Sequence, residues 1–151
     1  MKNIVDFIAR ILLVTIFFYE VYDAIFYFEE TQAAMIGHGL TWKPDLLLRG
    51  GIFVLILGSV LLLMGYRVAL GVTLLLMYLI PTTFIVHSFW DAPVDCLIST
   101  SCLEGKELYR RMQAVLFMKN LAIMGGLLMV WLNGSQGWSI KRLFATTRVR
   151  V

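Results

Sequence analysis

The sequence predicts an all-α integral membrane protein, a four-helix bundle with both termini in the cytoplasm. Hydrophobic residues make up 60% of its 151 residues and charged residues 15%, whereas soluble proteins average roughly 45–50% and 25%. Three blocks without Asp, Glu, Lys or Arg occupy residues 50–66, 68–90 and 120–132. A membrane-spanning helix needs about 20 mostly apolar residues, so the last block has to include residues from Met112 onward.

Four spans are predicted within a single domain of residues 1–151. They occupy about residues 4–28, 46–66, 68–90 and 112–132, with an outer loop at 91–111 and a short surface helix at 31–36. The first span is the least hydrophobic, because it contains Asp6, Arg10, Glu20 and Asp23. Such a span is normally stabilised by packing its polar side against other helices.

The basic residues indicate orientation instead of nucleic-acid binding, because they are scattered at span ends and form no stripe with interleaved aromatic residues. The side with both termini has only Asp6 as an acidic residue and collects seven basic ones: Lys2, Arg10, Arg67, Lys141, Arg142, Arg148 and Arg150. On the other side acidic residues outnumber basic ones. By the positive-inside rule, both termini are cytoplasmic.

Polar residues within the spans predict a site in the outer half of the bilayer. Lys119 lies inside the fourth span, where a lysine costs about 2.5–3.5 kcal/mol on insertion scales. Glu20 precedes the outer end of the first span by as many residues as Lys119 follows the outer loop, so both lie roughly 12 Å deep. We therefore expect the two side chains to be able to pair. Asp23, Arg49, His87 and Asn120 fall in the same half.

This set of side chains is suited to holding a quinone head group and managing its protons. Glu20, Asp23, His87 and Lys119 are the candidate catalytic residues, because they combine acids, a base and a histidine, the residue type that can exchange protons near neutral pH. The candidate head-group contacts are Arg49, Trp90 and Asn120.

Each of these assignments has a structural alternative. Glu20 and Lys119 can equally form an ion pair that joins the first and fourth helices. His87 suits an interfacial hydrogen bond, and Arg49 suits a snorkelling anchor.

Cys96 and Cys102 lie in the predicted outer loop with five residues between them. That spacing is neither the two-residue redox spacing nor half of a zinc site. In an oxidising periplasm it favours a structural disulfide, with a redox-active pair as the alternative. The sequence contains no phosphate-binding glycine loop, haem attachment motif or metal-ligand cluster.

The chain resembles the DoxX family of small bacterial membrane proteins over about residues 9–143. The similar segments are AAMIGHGL at 33–40, GYRVALGVTLLL at 65–76, HSFW at 87–90, FMKNLAIMGGLL at 117–128 and GSQGWSIKRL at 134–143. The resemblance implies a four-helix bundle in the bacterial inner membrane. From the family's named members it also implies a subunit of thiosulfate:quinone oxidoreductase or of another membrane-associated redox complex.

The expected function is therefore that of the membrane subunit of a quinone-linked oxidoreductase. Quinone is the expected cofactor, and membrane lipid and a soluble or membrane redox partner are the expected contacts. The main alternative is a non-catalytic scaffold that anchors a soluble enzyme, since the chain has no cofactor motif of its own. A small transporter is a weaker alternative, because the polar residues are confined to one half of the membrane.

Overall fold

The computed structural model describes the backbone of residues 2–90 and 100–134, and the side chains of residues 4–90 and 107–134. These residues are helical and contain no β-strand, as predicted. Five helices follow one another along the chain: α1 (Lys2–Phe26), α2 (Phe28–Gly37), α3 (Pro44–Leu63), α4 (Val68–Ile85) and α5 (Thr100–Asn133).

Three helices in the described part of the chain are long and apolar enough to cross a membrane. They are α3, α4 and the part Glu107–Asn133 of α5, with mean hydropathies of 2.5, 2.1 and 1.8. The helix α1 has 25 residues, but acidic and basic side chains are spread along it. It is therefore long enough to cross a membrane but less apolar than the other three helices. The structure supports three of the predicted spans, and α1 as a span stays a prediction.

The helix α1 ends at Phe26, slightly before the predicted end of the first span. Tyr27 leaves the helical conformation, with φ −113° and ψ 43°, and α2 begins at the next residue. The predicted short helix at 31–36 is part of α2. This helix has no buried residue, so it lies on the surface of the bundle.

The helix α5 begins at Thr100, well before the predicted start of the fourth span at Met112. Residues 100–111, predicted as part of an outer loop, are therefore helical. This segment is rich in Leu, Glu, Lys and Arg, which favour helices. Arg111 Nε also lies 3.1 Å from Glu107 Oε1, an ion pair one helical turn apart.

Helices α3 and α4 approach each other at Gly58 and Gly71. A Cβ atom on Gly71 would lie 2.9 Å from the carbonyl oxygen of Gly58, and one on Gly58 would lie 2.9 Å from the Leu75 side chain. Small residues of this kind allow membrane helices to come close. A tight turn joins the two helices, with positive φ at Gly65 (64°) and Arg67 (49°).

The four long helices surround one apolar core. α3 packs against both α1 and α4, α4 packs against α5, and α5 meets α1. Gly126 marks this last contact, because a Cβ atom there would lie 3.2 Å from the Leu13 side chain. The core consists of fully or nearly fully buried side chains from all four: Val14, Phe17, Leu55, Leu62, Val72, Leu75, Leu79 and Leu127.

Arg10 is completely buried, although the sequence analysis counted it among the basic residues of the cytoplasmic side. Its Nη2 atom lies 3.0 Å from Asp6 Oδ2, and its Nη1 atom donates to the carbonyl oxygens of Leu62 (3.5 Å) and Leu63 (3.3 Å). The last carbonyls of a helix lack helical partners and attract cations. Arg10 thus binds the end of α3 to α1, and it does not belong in a count of surface charge.

Candidate functional site

A cavity of about 560 Å³ lies within the bundle and is lined by residues from all five helices. Most of its wall is apolar, from side chains such as Ile16, Leu48, Ile52 and Leu55. Tyr19 and Met77 line the cavity and are exposed. The cavity therefore opens to the surface of the bundle near these two side chains.

All four candidate catalytic residues line this cavity. Glu20 and Asp23 project from α1, His87 follows the end of α4, and Lys119 projects from α5. The equal depth predicted for Glu20 and Lys119 agrees with their sharing one cavity. The structure thus brings together residues that lie up to 99 positions apart in the chain.

Glu20 and Lys119 do not form the direct ion pair that the sequence analysis considered. No N–O distance of 4.0 Å or less joins them, although both side chains are described. They are still close enough to interact electrostatically, as are Glu20 and Asp23. Glu20 Oε2 is buried and has no hydrogen-bond partner in the protein. The two side chains therefore face the same cavity without a direct contact between them.

His87 is held in place by Gln113, a residue that the sequence analysis did not single out. His87 Nδ1 lies 2.8 Å from Gln113 Oε1. With this oxygen as acceptor, Nδ1 carries the imidazole proton, and a neutral ring presents Nε2 as an acceptor. Both side chains are partly buried, so the contact fixes the ring at the cavity wall. Counting residues could have found Gln113, because it lies at the start of the predicted span 112–132, as His87 lies at the end of the predicted span 68–90.

Tyr78 is a second lining residue that the sequence analysis missed. It is partly buried on α4 and close enough to Glu20 to interact electrostatically. Its ring packs on Gly51 of α3, where a Cβ atom would lie 3.2 Å from the ring. The sequence did contain a signal for this residue, because Tyr78 places a hydroxyl group near the middle of a mostly apolar helix.

The three candidate head-group contacts lie elsewhere in the described bundle. Arg49 pairs with Asp45 at 2.9 Å on the surface and lies 5.2 Å from the centre of the Phe28 ring. The snorkelling anchor named above as the alternative for Arg49 stays a prediction. None of the three residues lines the cavity.

Trp90 contacts a side chain of α5, and Asn120 contacts a side chain of α4. Trp90 packs edge-on against Phe117 with ring centres 5.8 Å apart. Asn120 is buried, and its Nδ2 atom donates to Thr83 Oγ1 at 3.0 Å. Asn120 therefore connects α5 to α4 through a polar contact.

The predicted cysteine pair is not tested by the structure. Cys96 lies outside the described residues, and so does the side chain of Cys102. The structural disulfide stays a prediction. In the described residues, no group of three or more His, Cys, Asp or Glu side chains is placed to hold a metal ion.

The comparison with protein families agrees with the resemblance found in the sequence. A family model named DoxX matches residues 5–88, more than half of the chain, and this match includes α2, α3 and α4 and most of α1. No curated protein and no solved structure gives a significant match. Glu20, Asp23 and His87 lie within the matched residues, and Lys119 lies beyond them. This helical membrane protein belongs to the DoxX family.

Proposed function

We propose that the chain is a four-span membrane protein of the bacterial inner membrane, with cytoplasmic termini, whose cavity binds a quinone head group. In this proposal it acts as the membrane subunit of a quinone-linked oxidoreductase and receives electrons from a soluble or membrane partner. The observation that carries the proposal is that one cavity, open at the bundle surface, is lined by Glu20, Asp23, His87 and Lys119 within a mostly apolar wall.

The proposal treats α1 as the fourth span because of how its residues are distributed. Asp6 and Arg10 neutralise each other inside the protein, and Glu20 faces the cavity. The opposite face exposes a row of apolar side chains that is suited to lipid: Ile4, Val5, Ile8, Ile11, Leu12, Phe18 and Ile25. Charged side chains that face the bundle interior are the arrangement found in membrane helices that contain them.

The size and chemistry of the cavity fit an amphiphilic ring compound. A volume of about 560 Å³ lies within the roughly 300–1,000 Å³ typical of small-molecule pockets. Such pockets are mostly apolar and have a few polar groups that orient the ligand. The buried Glu20 Oε2 atom, which has no protein partner, is a polar group of that kind. An isoprenoid or alkyl tail would leave through the exposed opening near Tyr19 and Met77.

Each polar residue has a defined role in this proposal. Lys119 donates hydrogen bonds to a head-group oxygen, and His87 presents Nε2 at a fixed angle because Gln113 holds Nδ1. Glu20 accepts a proton or a hydrogen bond, and exposed Asp23 connects the cavity with the outside. A bound quinone supplies the two-electron, two-proton chemistry that the side chains lack.

A binding titration tests the proposal. Protein purified in detergent is titrated with a decyl-tailed benzoquinone in its oxidised and reduced forms, and Lys119→Met is titrated beside it. Lys43→Met is the matched control, since Lys43 is exposed and away from the cavity. We expect saturable binding that Lys119→Met weakens about tenfold or more, because a hydrogen bond to a charged group contributes about 1.5–3 kcal/mol.

The outcome also separates the leading function from its main alternative. Saturable binding that Lys43→Met retains and Lys119→Met loses supports a head-group site. If the wild-type protein binds neither form, the quinone proposal is wrong, and a scaffold that anchors a soluble enzyme becomes the better explanation.

A further inference from the structure

The side chains of Glu20 and Lys119 have complementary hydrogen-bonding needs that they do not meet with each other. Both line the cavity and interact electrostatically, yet no ion pair within 4.0 Å joins these two described side chains. Glu20 Oε2 is buried without a partner in the protein. A ligand atom placed between them has to satisfy an acceptor on one side and a donor on the other.

The chemistry of the two groups restricts which ligand atom can do this. When Glu20 is ionised beside the Lys119 ammonium group, its carboxylate only accepts hydrogen bonds and the ammonium group only donates them. A hydroxyl oxygen can donate to Glu20 and accept from Lys119 at the same time. A carbonyl oxygen can accept from Lys119, but it places a second acceptor against the Glu20 carboxylate and leaves a buried polar group unpaired.

The contact at His87 points to the same kind of ligand independently. With Gln113 Oε1 accepting from Nδ1, a neutral imidazole has Nε2 left as an acceptor, and His87 lines the cavity. The cavity then presents two acceptors, Glu20 and His87, beside the donor Lys119. A ligand with hydroxyl groups matches this set better than one with only carbonyl groups.

We propose that the cavity binds the reduced, hydroxyl-bearing form of its ligand, a quinol, in preference to the oxidised quinone, with one hydroxyl bridging Glu20 Oε2 and Lys119 Nζ. This inference rests on the proposed function and assigns the redox form of the ligand that the site selects. It concerns binding alone and requires no further reactant.

Matched titrations of the two redox forms test the preference. A decyl-tailed benzoquinone and its dithionite-reduced quinol are titrated anaerobically into the same detergent-purified wild-type protein. We expect the quinol to bind about tenfold more tightly, the factor that one hydrogen bond to a charged group supplies. Glu20→Gln keeps the shape of the side chain but adds an amide donor, so it should reduce the preference to about parity by strengthening quinone binding and weakening quinol binding.

The results distinguish this inference from the function on which it rests. If the wild-type protein binds the quinone as tightly as the quinol or more tightly, the inference is wrong and the quinone site remains. If Glu20→Gln is folded by thermal unfolding and keeps the full quinol preference, the bridging role of Glu20 is wrong. If neither form binds, the proposed function itself is overturned. The wild-type comparison needs no variant, so a misfolded variant cannot decide it.

Discussion

His87 Nδ1 lies 2.8 Å from Gln113 Oε1, and this hydrogen bond joins His87, two residues beyond the end of α4, to α5 at the cavity wall. His87 lines the cavity and Gln113 does not. The amide therefore acts on the site only through the imidazole, by selecting its tautomer and its orientation.

Replacing Gln113 with leucine should change the tautomer of His87. A neutral hydrogen bond of this kind contributes about 0.5–1.5 kcal/mol, enough to shift the population of the form protonated at Nδ1. The measurement is the ¹⁵N NMR spectrum of labelled histidine, and His38, the only other histidine, serves as the internal reference. Gln113→Glu keeps an acceptor and should retain the wild-type tautomer. Unchanged His87 signals in Gln113→Leu would show that this contact does not select the tautomer.

Gly71→Ala should destabilise the bundle, because the added Cβ atom would lie 2.9 Å from the Gly58 carbonyl oxygen and force α3 and α4 apart. Overpacking of this kind costs about 1–3 kcal/mol. Gly50→Ala is the matched control on a helix, where the new Cβ atom meets nothing within 4 Å and alanine gains up to about 1 kcal/mol of helix propensity. Thermal unfolding in one detergent should rank Gly50→Ala at or above wild type and Gly71→Ala below it. The reverse order would mean that the helices do not meet at these glycines.

Arg10→Met should destabilise the protein more than Arg49→Met does. It leaves the Asp6 carboxylate and the last carbonyls of α3 without their buried donor, and breaking a buried ion pair costs about 3–5 kcal/mol. Arg49→Met is the control, because its ion pair with Asp45 is 68% and 55% exposed and such pairs contribute about 0–1 kcal/mol. Stability is measured by chemical unfolding in detergent. Adding Asp6→Leu to Arg10→Met should recover part of the loss, and equal effects of the two arginine substitutions would contradict the buried contact.

The polar contact between Asn120 and Thr83 should appear as a small coupling energy. Thr83 Oγ1 accepts from Asn120 Nδ2 at 3.0 Å and donates to the Leu79 carbonyl oxygen at 2.6 Å. A double-mutant cycle of Asn120→Leu and Thr83→Val should give about 0.6 kcal/mol, the average for side-chain hydrogen bonds between membrane helices. The same cycle with Thr73→Val, an exposed threonine that bonds only within α4, should give none. Similar coupling in both cycles would mean that the effect is not local.

Cys96 and Cys102 are predicted to be oxidised in protein purified without reductant. A maleimide reagent should then label neither thiol in the denatured protein, and both after treatment with a phosphine reductant. These are the only two cysteines, so a mass measurement reads the result directly. Full labelling without reductant would exclude the structural disulfide in the purified protein.

Much of the architecture follows from the sequence because lipid imposes simple rules. Every backbone polar group in a membrane must be satisfied within the chain, so long apolar blocks become helices. This holds for α3, α4 and the apolar part of α5, whose positions agree with the predicted spans. The starting point of α5 differs because residues 100–111 have good helix propensity, which hydropathy alone does not measure.

Counting residues along the helices also predicted that Glu20 and Lys119 could lie near each other. Glu20 and Lys119 were matched by counting residues from the outer boundary, and the cavity contains both. Counting gives depth but not rotation around a helix. Arg49 and Asn120 lie at suitable positions along their helices, yet Arg49 turns to the surface and Asn120 turns toward Thr83.

The sequence by itself thus determined the helical class, the family, the positions of three apolar helices and the presence of a lysine within the last of them. Only the tertiary structure decided that Glu20 and Lys119 face one cavity without pairing, that Gln113 holds His87, and that Arg10 closes the end of α3. These relationships depend on the rotation and separation of packed helices, to within a fraction of an ångström at glycines such as Gly58 and Gly71. Apolar residues that are interchangeable in hydropathy do not encode such distances locally, because they arise from how all the helices fit together.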